Sequence, residues 1–160
     1  MASTKEENIV QYGPYGNQLQ ASLFSMKIDG DEVIKEVIIR HGYCVDAIGF
    51  LVGGKTVLSG GLRGTESKIV LNDGEYITKI SGTSGEYLNA NNNRLISSLM
   101  IHTNFCPAGY GPFGSKLNSK NLNVFSSPDN LEGRFAGFFG SAPGYVFSLG
   151  IYVEKASLTE

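Results

Sequence analysis

Two short stretches hold the residue types best suited to chemistry. Gly42-Tyr43-Cys44-Val45-Asp46 places a carboxylate four positions after a glycine, and Gly60-Gly61-Leu62-Arg63-Gly64 sets three glycines within five positions. An ionised carboxylate can accept two hydroxyl hydrogen bonds at once, and charge-assisted bonds of that kind contribute about 1.5–3 kcal/mol each. Glycine turns expose main-chain N–H groups and let a ligand come close to the backbone. Across arbitrary proteins, an isolated Gly-x-x-x-Asp more often marks a turn or strand end whose aspartate bonds local backbone. The pattern therefore needs support from the rest of the chain.

Other chemistries find less material. There are no paired carboxylates with supporting context, no Ser-His-Asp arrangement and no phosphate-cradling loop, because the Gly-rich segments flank strand-like runs and not helix starts. His41 and His102 lack metal-ligand spacing and read as surface or strand positions. Cys44 and Cys106 permit one disulfide that nothing demands, and no base neighbours Cys44 in sequence to make it a nucleophile. The expectation is a binding protein and not an enzyme, with no metal and no cofactor.

Composition narrows the classes further. A chain of 160 residues suits one domain. It is 41% hydrophobic and 18% charged, which supports a packed core and excludes a disordered chain. The net charge of −2 comes without a basic patch, so no nucleic-acid partner is expected. No run approaches the ~18 apolar residues of a membrane span. Residues 1–8 are polar and lack the apolar stretch of a secretory signal, and no Asn-x-Ser/Thr acceptor occurs, so a cytoplasmic location with both thiols reduced is expected. Residues 1–8 and 156–160 read as flexible tails around a domain spanning 9–155.

The elements that must position the two loops are strands. The chain has 21 glycines, 9 Phe and 8 Tyr but no Trp, a composition of strands joined by tight turns. Strand signals fall at residues 33–39 (with Val33, Val37 and Ile39 on one side), 45–52, 68–71, 76–80, 95–102, 135–139 and 145–153. Turn signals fall at Asp29-Gly30-Asp31, Gly53-Gly54-Lys55, Gly60-Gly61 and Ser84-Gly85, and Asn72-Asp73-Gly74 reads as a hairpin. No segment holds a helical period.

An internal repeat organises these strands. VDAIGF, ISSLMI and VFSLGI begin at positions 45, 96 and 146, spacings of 51 and 50 residues, and share one apolar pattern. Tyr12-Gly13-Pro14-Tyr15-Gly16 and Tyr110-Gly111-Pro112-Phe113-Gly114 begin 98 residues apart, with Ser59-Gly60-Gly61 near the midpoint. Three β units of about fifty residues, each with an apolar face, predict a closed all-β arrangement around a common centre.

On these residues the sequence resembles the jacalin-related lectins, from about Ile9 to Val153. The resemblance runs through Gly13-Pro14-Tyr15-Gly16, Val45-Asp46-Ala47-Ile48, Gly74-Glu75-Tyr76-Ile77, Ile80-Ser81-Gly82-Thr83, Thr103-Asn104, the second Gly-Pro motif, Gly137-Phe138-Phe139-Gly140 and Leu149-Gly150-Ile151-Tyr152. It implies a β-prism of three four-stranded Greek-key sheets with pseudo-threefold symmetry and sugar sites at one end. A sugar site in that family pairs a Gly-x-x-x-Asp loop with a Gly-rich loop.

Carried onto this chain, the resemblance makes Asp46 the hydroxyl acceptor, Tyr43 and Cys44 the N–H donors within Gly42–Asp46 (Val45 included), and Gly61 and Gly64 the points of close approach. Tyr43 could add a ring face, and Arg63 stands where small residues are usual. The third unit departs from the pattern, with Phe147 at the carboxylate position, Pro143 at the glycine position and Gly16-Asn17-Gln18-Leu19-Gln20 as partner loop. The second unit has Ser97 there, with Asn92-Asn93 nearby. One competent site and two degenerate ones are expected. The uncut start resembles the mannose-binding branch, which implies a mannose-containing glycan as partner, weak monosaccharide binding and a homodimer. The alternative is a β-prism kept as an interaction module without sugar binding.

Overall fold

The computed structural model describes residues 8–17 and 19–155. The expected tails therefore lie outside the described residues except for Asn8, and so does Gln18 of the third unit's partner loop. Twelve strands run in order among the described residues: β1 (Ile9–Gly16), β2 (Leu23–Lys27), β3 (Ile34–His41), β4 (Val45–Val52), β5 (Lys55–Gly60), β6 (Thr65–Val70), β7 (Ile77–Tyr87), β8 (Asn93–Thr103), β9 (Tyr110–Phe113), β10 (Ser119–Ser126), β11 (Gly133–Ser141) and β12 (Ser148–Lys155). A 3-10 turn at Leu88–Ala90 links β7 to β8.

The strands form three antiparallel four-stranded sheets, in the orders β5-β4-β3-β6, β10-β7-β8-β9 and β1-β12-β11-β2. In the first, three consecutive strands are followed by a fourth that returns beside the first of them, which is a Greek key. The second repeats this order. The third is assembled from both ends of the chain, with Ile9 opposite Glu154. The architecture is the expected β-prism with pseudo-threefold symmetry.

The apolar pattern explains why the sheets close. Each presents one face to a shared core that includes Val37, Ile48, Ile80, Leu99, Phe138 and Ile151. Phe50 and Phe138 meet across the centre at 5.8 Å, and Phe135 packs edge-on against Phe138 at 5.1 Å. Burying a residue of this size contributes about 1.5–3 kcal/mol relative to leaving it exposed.

The repeat is visible in the backbone. The two Gly-Pro motifs lie on β1 and β9, equivalent edge strands, and Gly16 and Gly114 share φ values of 98° and 99°. A carbon added at Gly16 or Gly114 would meet the Phe147 or Ser97 carbonyl at 2.6 or 2.4 Å, so both motifs are shaped by close approach to the neighbouring strand. Ser59-Gly60 ends β5, the third equivalent strand.

Three sequence expectations are corrected. Val33 is 61% exposed, outside β3, while Val37 and Ile39 are fully buried. A register shift between Ile34 and Glu36 breaks the alternation, so Ile34 takes the core position. Asn72-Asp73-Gly74 is not a hairpin: it joins β6 to β7, which belong to different sheets. Its turn is closed by Glu75, whose N–H donates to the Asn72 carbonyl at 3.0 Å. Ser84-Gly85 is not a turn but lies within β7, at a register shift between Thr83 and Ser84. The edge strands β1, β2, β5, β9 and β10 fall outside the strand signals of the sequence, because short or polar edge strands carry little apolar alternation.

Candidate functional site

The prism has two unlike ends. At one, the three central hairpins close at the pairs His41–Val45, Tyr87–Asn93 and Ser141–Ser148. Main-chain bonds tie these hairpins together: Val146 N–H donates to the Val45 carbonyl at 3.0 Å and Ile96 N–H to the Val146 carbonyl at 2.9 Å. Val45, Ile96 and Val146, the starts of the three repeats, thus meet at this end.

Asp46 owes its position to a β-bulge. Ala47 pairs with Arg40 and Val45 with His41, which leaves Asp46 as the extra residue. A bulge re-aims the inserted side chain. Ser97 occupies the same bulged position on β8, between Ile96 opposite Ser84 and Ser98 opposite Thr83. The partner loops repeat as well. Gly61 N–H donates to the Asp46 carbonyl at 2.9 Å, and Asn17 N–H donates to the Phe147 carbonyl at 3.0 Å. The main chain therefore sets Phe147 at the place of Asp46, as the repeat alignment predicts.

The first unit brings its two loops together. The Asp46 carboxylate lies against Gly64, where an added carbon would meet one carboxylate oxygen and the His41 carbonyl, each at 2.6 Å. With φ at +78°, Gly64 is a position that only glycine fills without strain. Gly61 faces the Gly144 carbonyl, 2.2 Å from an added carbon. Both glycines are thus needed by close contacts within the protein. Gly42 and Tyr43 are fixed through their carbonyls, which accept the Ser115 and Lys116 N–H groups, each at 2.9 Å. The Tyr43 and Cys44 N–H groups enter none of the main-chain bonds among the described residues. Tyr43 is 47% exposed beside them.

The electrostatics of Asp46 are unusual. It is only 4% exposed, and no hydrogen bond among the described residues ends on its carboxylate. Burial pushes its pKa up, partly offset by the Arg40 and Arg63 guanidinium groups, which lower it. Arg40 is itself anchored, donating to the Arg63 and Gly64 carbonyls at 3.1 and 3.0 Å. Arg63 reaches across to the third unit. It donates to the Tyr145 hydroxyl at 2.8 Å, with its guanidinium 5.8 Å from the ring centre. Arg63 and Tyr145 form one wall of the site, a feature that neither loop alone discloses in sequence.

Cys44 turns its side chain inward. It joins Tyr87, Leu95 and Phe147 in a small apolar cluster beneath the hairpins. Burial, reinforced by Asp46, raises its thiol pKa to about 12. At neutral pH it is a thiol and a poor nucleophile. Phe147 belongs to the same cluster, so the third unit offers packing where a carboxylate would stand. Ser97 is fully buried, with its hydroxyl 2.7 Å from that of Thr83. His41 and His102 sit on strands, bonded to Ser67 and Ser81 at 2.7 Å each. No group of three or more metal-ligating residues occurs among the described residues.

The family model for the jacalin-like lectin domain matches residues 8–152. The chain belongs to the jacalin-like lectin family. This is a family of non-enzymatic carbohydrate-binding proteins. The jacalin-related lectin Calsepa of Calystegia sepium is 32% identical over 145 residues, covering 90% of this chain and 77% of the relative. A mannose/glucose-specific lectin of Parkia pendula is 30% identical over 155 residues, covering 92% of this chain and 32% of the relative. The chain thus spans about a third of the Parkia protein. Among solved structures, the wild-type Malaysian banana lectin superposes with a TM-score of 0.76 at 29% identity, covering 92% of this chain and 99% of that one. Calsepa lectin in complex with a biantennary N-glycan superposes with a TM-score of 0.73 at 25% identity, covering 92% and 97%.

Proposed function

We propose that this jacalin-like domain is a lectin selective for mannose or glucose, with one competent site in its first repeat. The observation that carries the reading is the Asp46 carboxylate. It is set on a bulge, held against the bare main chain of Gly64, and left without a hydrogen-bonding partner. Two acceptor oxygens then serve adjacent hydroxyls of a pyranose, while the Tyr43 and Cys44 N–H groups donate to ring or hydroxyl oxygens. Gly42 and Val45 fix the path of the loop, and Gly61 and Gly64 keep the facing backbone close. The named preference of the Parkia relative for mannose and glucose supports the choice of sugar.

A single shallow site of this kind binds a monosaccharide weakly, with Kd on the order of mM. Useful avidity for a mannose-containing glycan then comes from several subunits acting together, and a homodimer in the cytoplasm is part of the reading. A crystal soaked with methyl mannoside tests the site: sugar is expected on Asp46. Sugar at the Ser97 or Phe147 end, or at none, defeats it. Light scattering of the purified chain tests the dimer, and imaging of the tagged full-length protein tests the location.

The near-complete burial of Asp46 favours a second reading, a prism that has kept its architecture and lost sugar binding in favour of a protein partner. Silence of the folded protein across a broad glycan array decides for it.

A further inference from the structure

The opposite end of the prism holds a second site of different chemistry. There the strands start and finish at the pairs Ile34–Val52, Ile77–Thr103 and Gly133–Lys155. The hairpin end is plugged by the cluster around Cys44, Tyr87 and Phe147. The basal end has an open cavity of about 500 Å³ instead. That size lies within the range of small-molecule sites, about 300–1,000 Å³. Its floor is the buried rim of the common core, contributed by all three sheets: Ile28, Ile34, Leu71, Ile77 and Phe135. Val33 and Tyr76, 61% and 56% exposed, stand among the lining residues. Leaving these side chains in water has a cost that an apolar ligand would remove.

The charges around the cavity have one sign to spare. Asp31, Glu32, Glu75 and Arg134 line it. Arg134 is paired with Glu154, so its charge is offset. Glu32 accepts the Asp29 N–H through one oxygen at 2.9 Å, and its other oxygen lies on the side of Gly53, 3.4 Å from a carbon added there. Asp31 is exposed and takes part in no ion pair among the described residues. Glu75 accepts four hydrogen bonds, two from Asn72 and one each from Thr103 and Tyr110. It stays ionised, which holds the local field negative. We infer that this basal cavity is a binding site for a small amphiphilic amine, an aromatic or aliphatic body seated on the apolar floor with its ammonium group at Asp31 and Glu32. Neither an acid nor a sugar fits this pattern: the first meets unpaired carboxylates, and the second leaves its hydroxyls against hydrocarbon.

The test uses the whole chain and three probes that share one ring: 1-naphthylmethylamine, 1-naphthylmethanol and 1-naphthylacetate. Amide chemical-shift titration is expected to show saturable shifts with the amine at Gly30, Leu71, Gly74 and Gly133, and none around Asp46. The amine should bind about fivefold more tightly than the alcohol, with the acid weakest. Val33→Arg, which places a cation and a long side chain at the cavity, should abolish binding. Asp31→Asn should weaken it about threefold, and both surface variants should keep the native amide spectrum elsewhere. Equal affinity for amine and acid, shifts centred elsewhere, or a Val33→Arg variant that binds like the native chain overturns the inference. Methyl mannoside titration should be unchanged by Val33→Arg, so the sugar-site reading and this one fail separately.

Discussion

Replacing Asp46 by Asn should move binding and stability in opposite directions. Both effects come from the same carboxylate. The proposed site uses two charge-assisted hydroxyl bonds, each worth about 1.5–3 kcal/mol, whereas a neutral bond contributes about 0.5–1.5. Exchanging the carboxylate for an amide of the same shape therefore loses about 2–3 kcal/mol over two bonds. The Kd for methyl mannoside rises roughly 30- to 150-fold, which takes a mM site out of reach of calorimetry. Stability runs the other way. Burial raises the folded-state pKa of Asp46 above its unfolded value, with Arg40 and Arg63 offsetting only part of that. The folded chain then holds the proton more strongly than the unfolded one. Its ionised form at neutral pH is a cost of folding that Asn removes. The denaturation midpoint at pH 7 should rise, and the gain over the native chain should vanish below the ordinary carboxylate pKa. Calorimetric titration and urea unfolding across pH read the two effects. An Asn variant that binds within threefold of the native chain, or that unfolds more easily at pH 7, refutes the reasoning.

Three further outcomes follow from neighbouring residues. Arg63→Ala removes a cation that lowers the Asp46 pKa, so mannoside binding should be lost at a higher pH on acidification than in the native chain; an unmoved acid limb, read by calorimetry across pH, counts against the coupling. Glu75 is buried, a penalty that its bonds from Asn72, Thr103 and Tyr110 outweigh, so its pKa falls from 4.5 to about 2. Its contribution to stability is present above pH 4.5 and fades as pH drops towards 2, and Glu75→Gln should cost about 1–3 kcal/mol at pH 7 and flatten that acid dependence in urea unfolding. Cys44, with its thiol pKa near 12, should resist iodoacetamide at pH 8 while partly exposed Cys106 reacts, giving one adduct by mass spectrometry in the native chain and two in denaturant.

The amino-acid order alone determined the class of fold and singled out the two loops on which the proposed site rests. Repeated apolar patterns starting at Val45, Ile96 and Val146 can be buried only if three sheets share a centre, and that requirement is written in residue type and spacing. The same alignment marks Phe147 as standing where Asp46 does, because equivalent positions in a repeat are legible without coordinates. Three things were left to the tertiary structure. One is the aim of Asp46, set by a bulge that appears only when β3 and β4 are paired. Another is the wall made by Arg63 and Tyr145, residues 82 apart in the chain that meet where the first and third units touch. The last is the basal cavity, whose floor draws on all three sheets. Each depends on contacts between segments distant in sequence, and local propensity carries no record of which distant side chain will arrive or at what depth it will be buried.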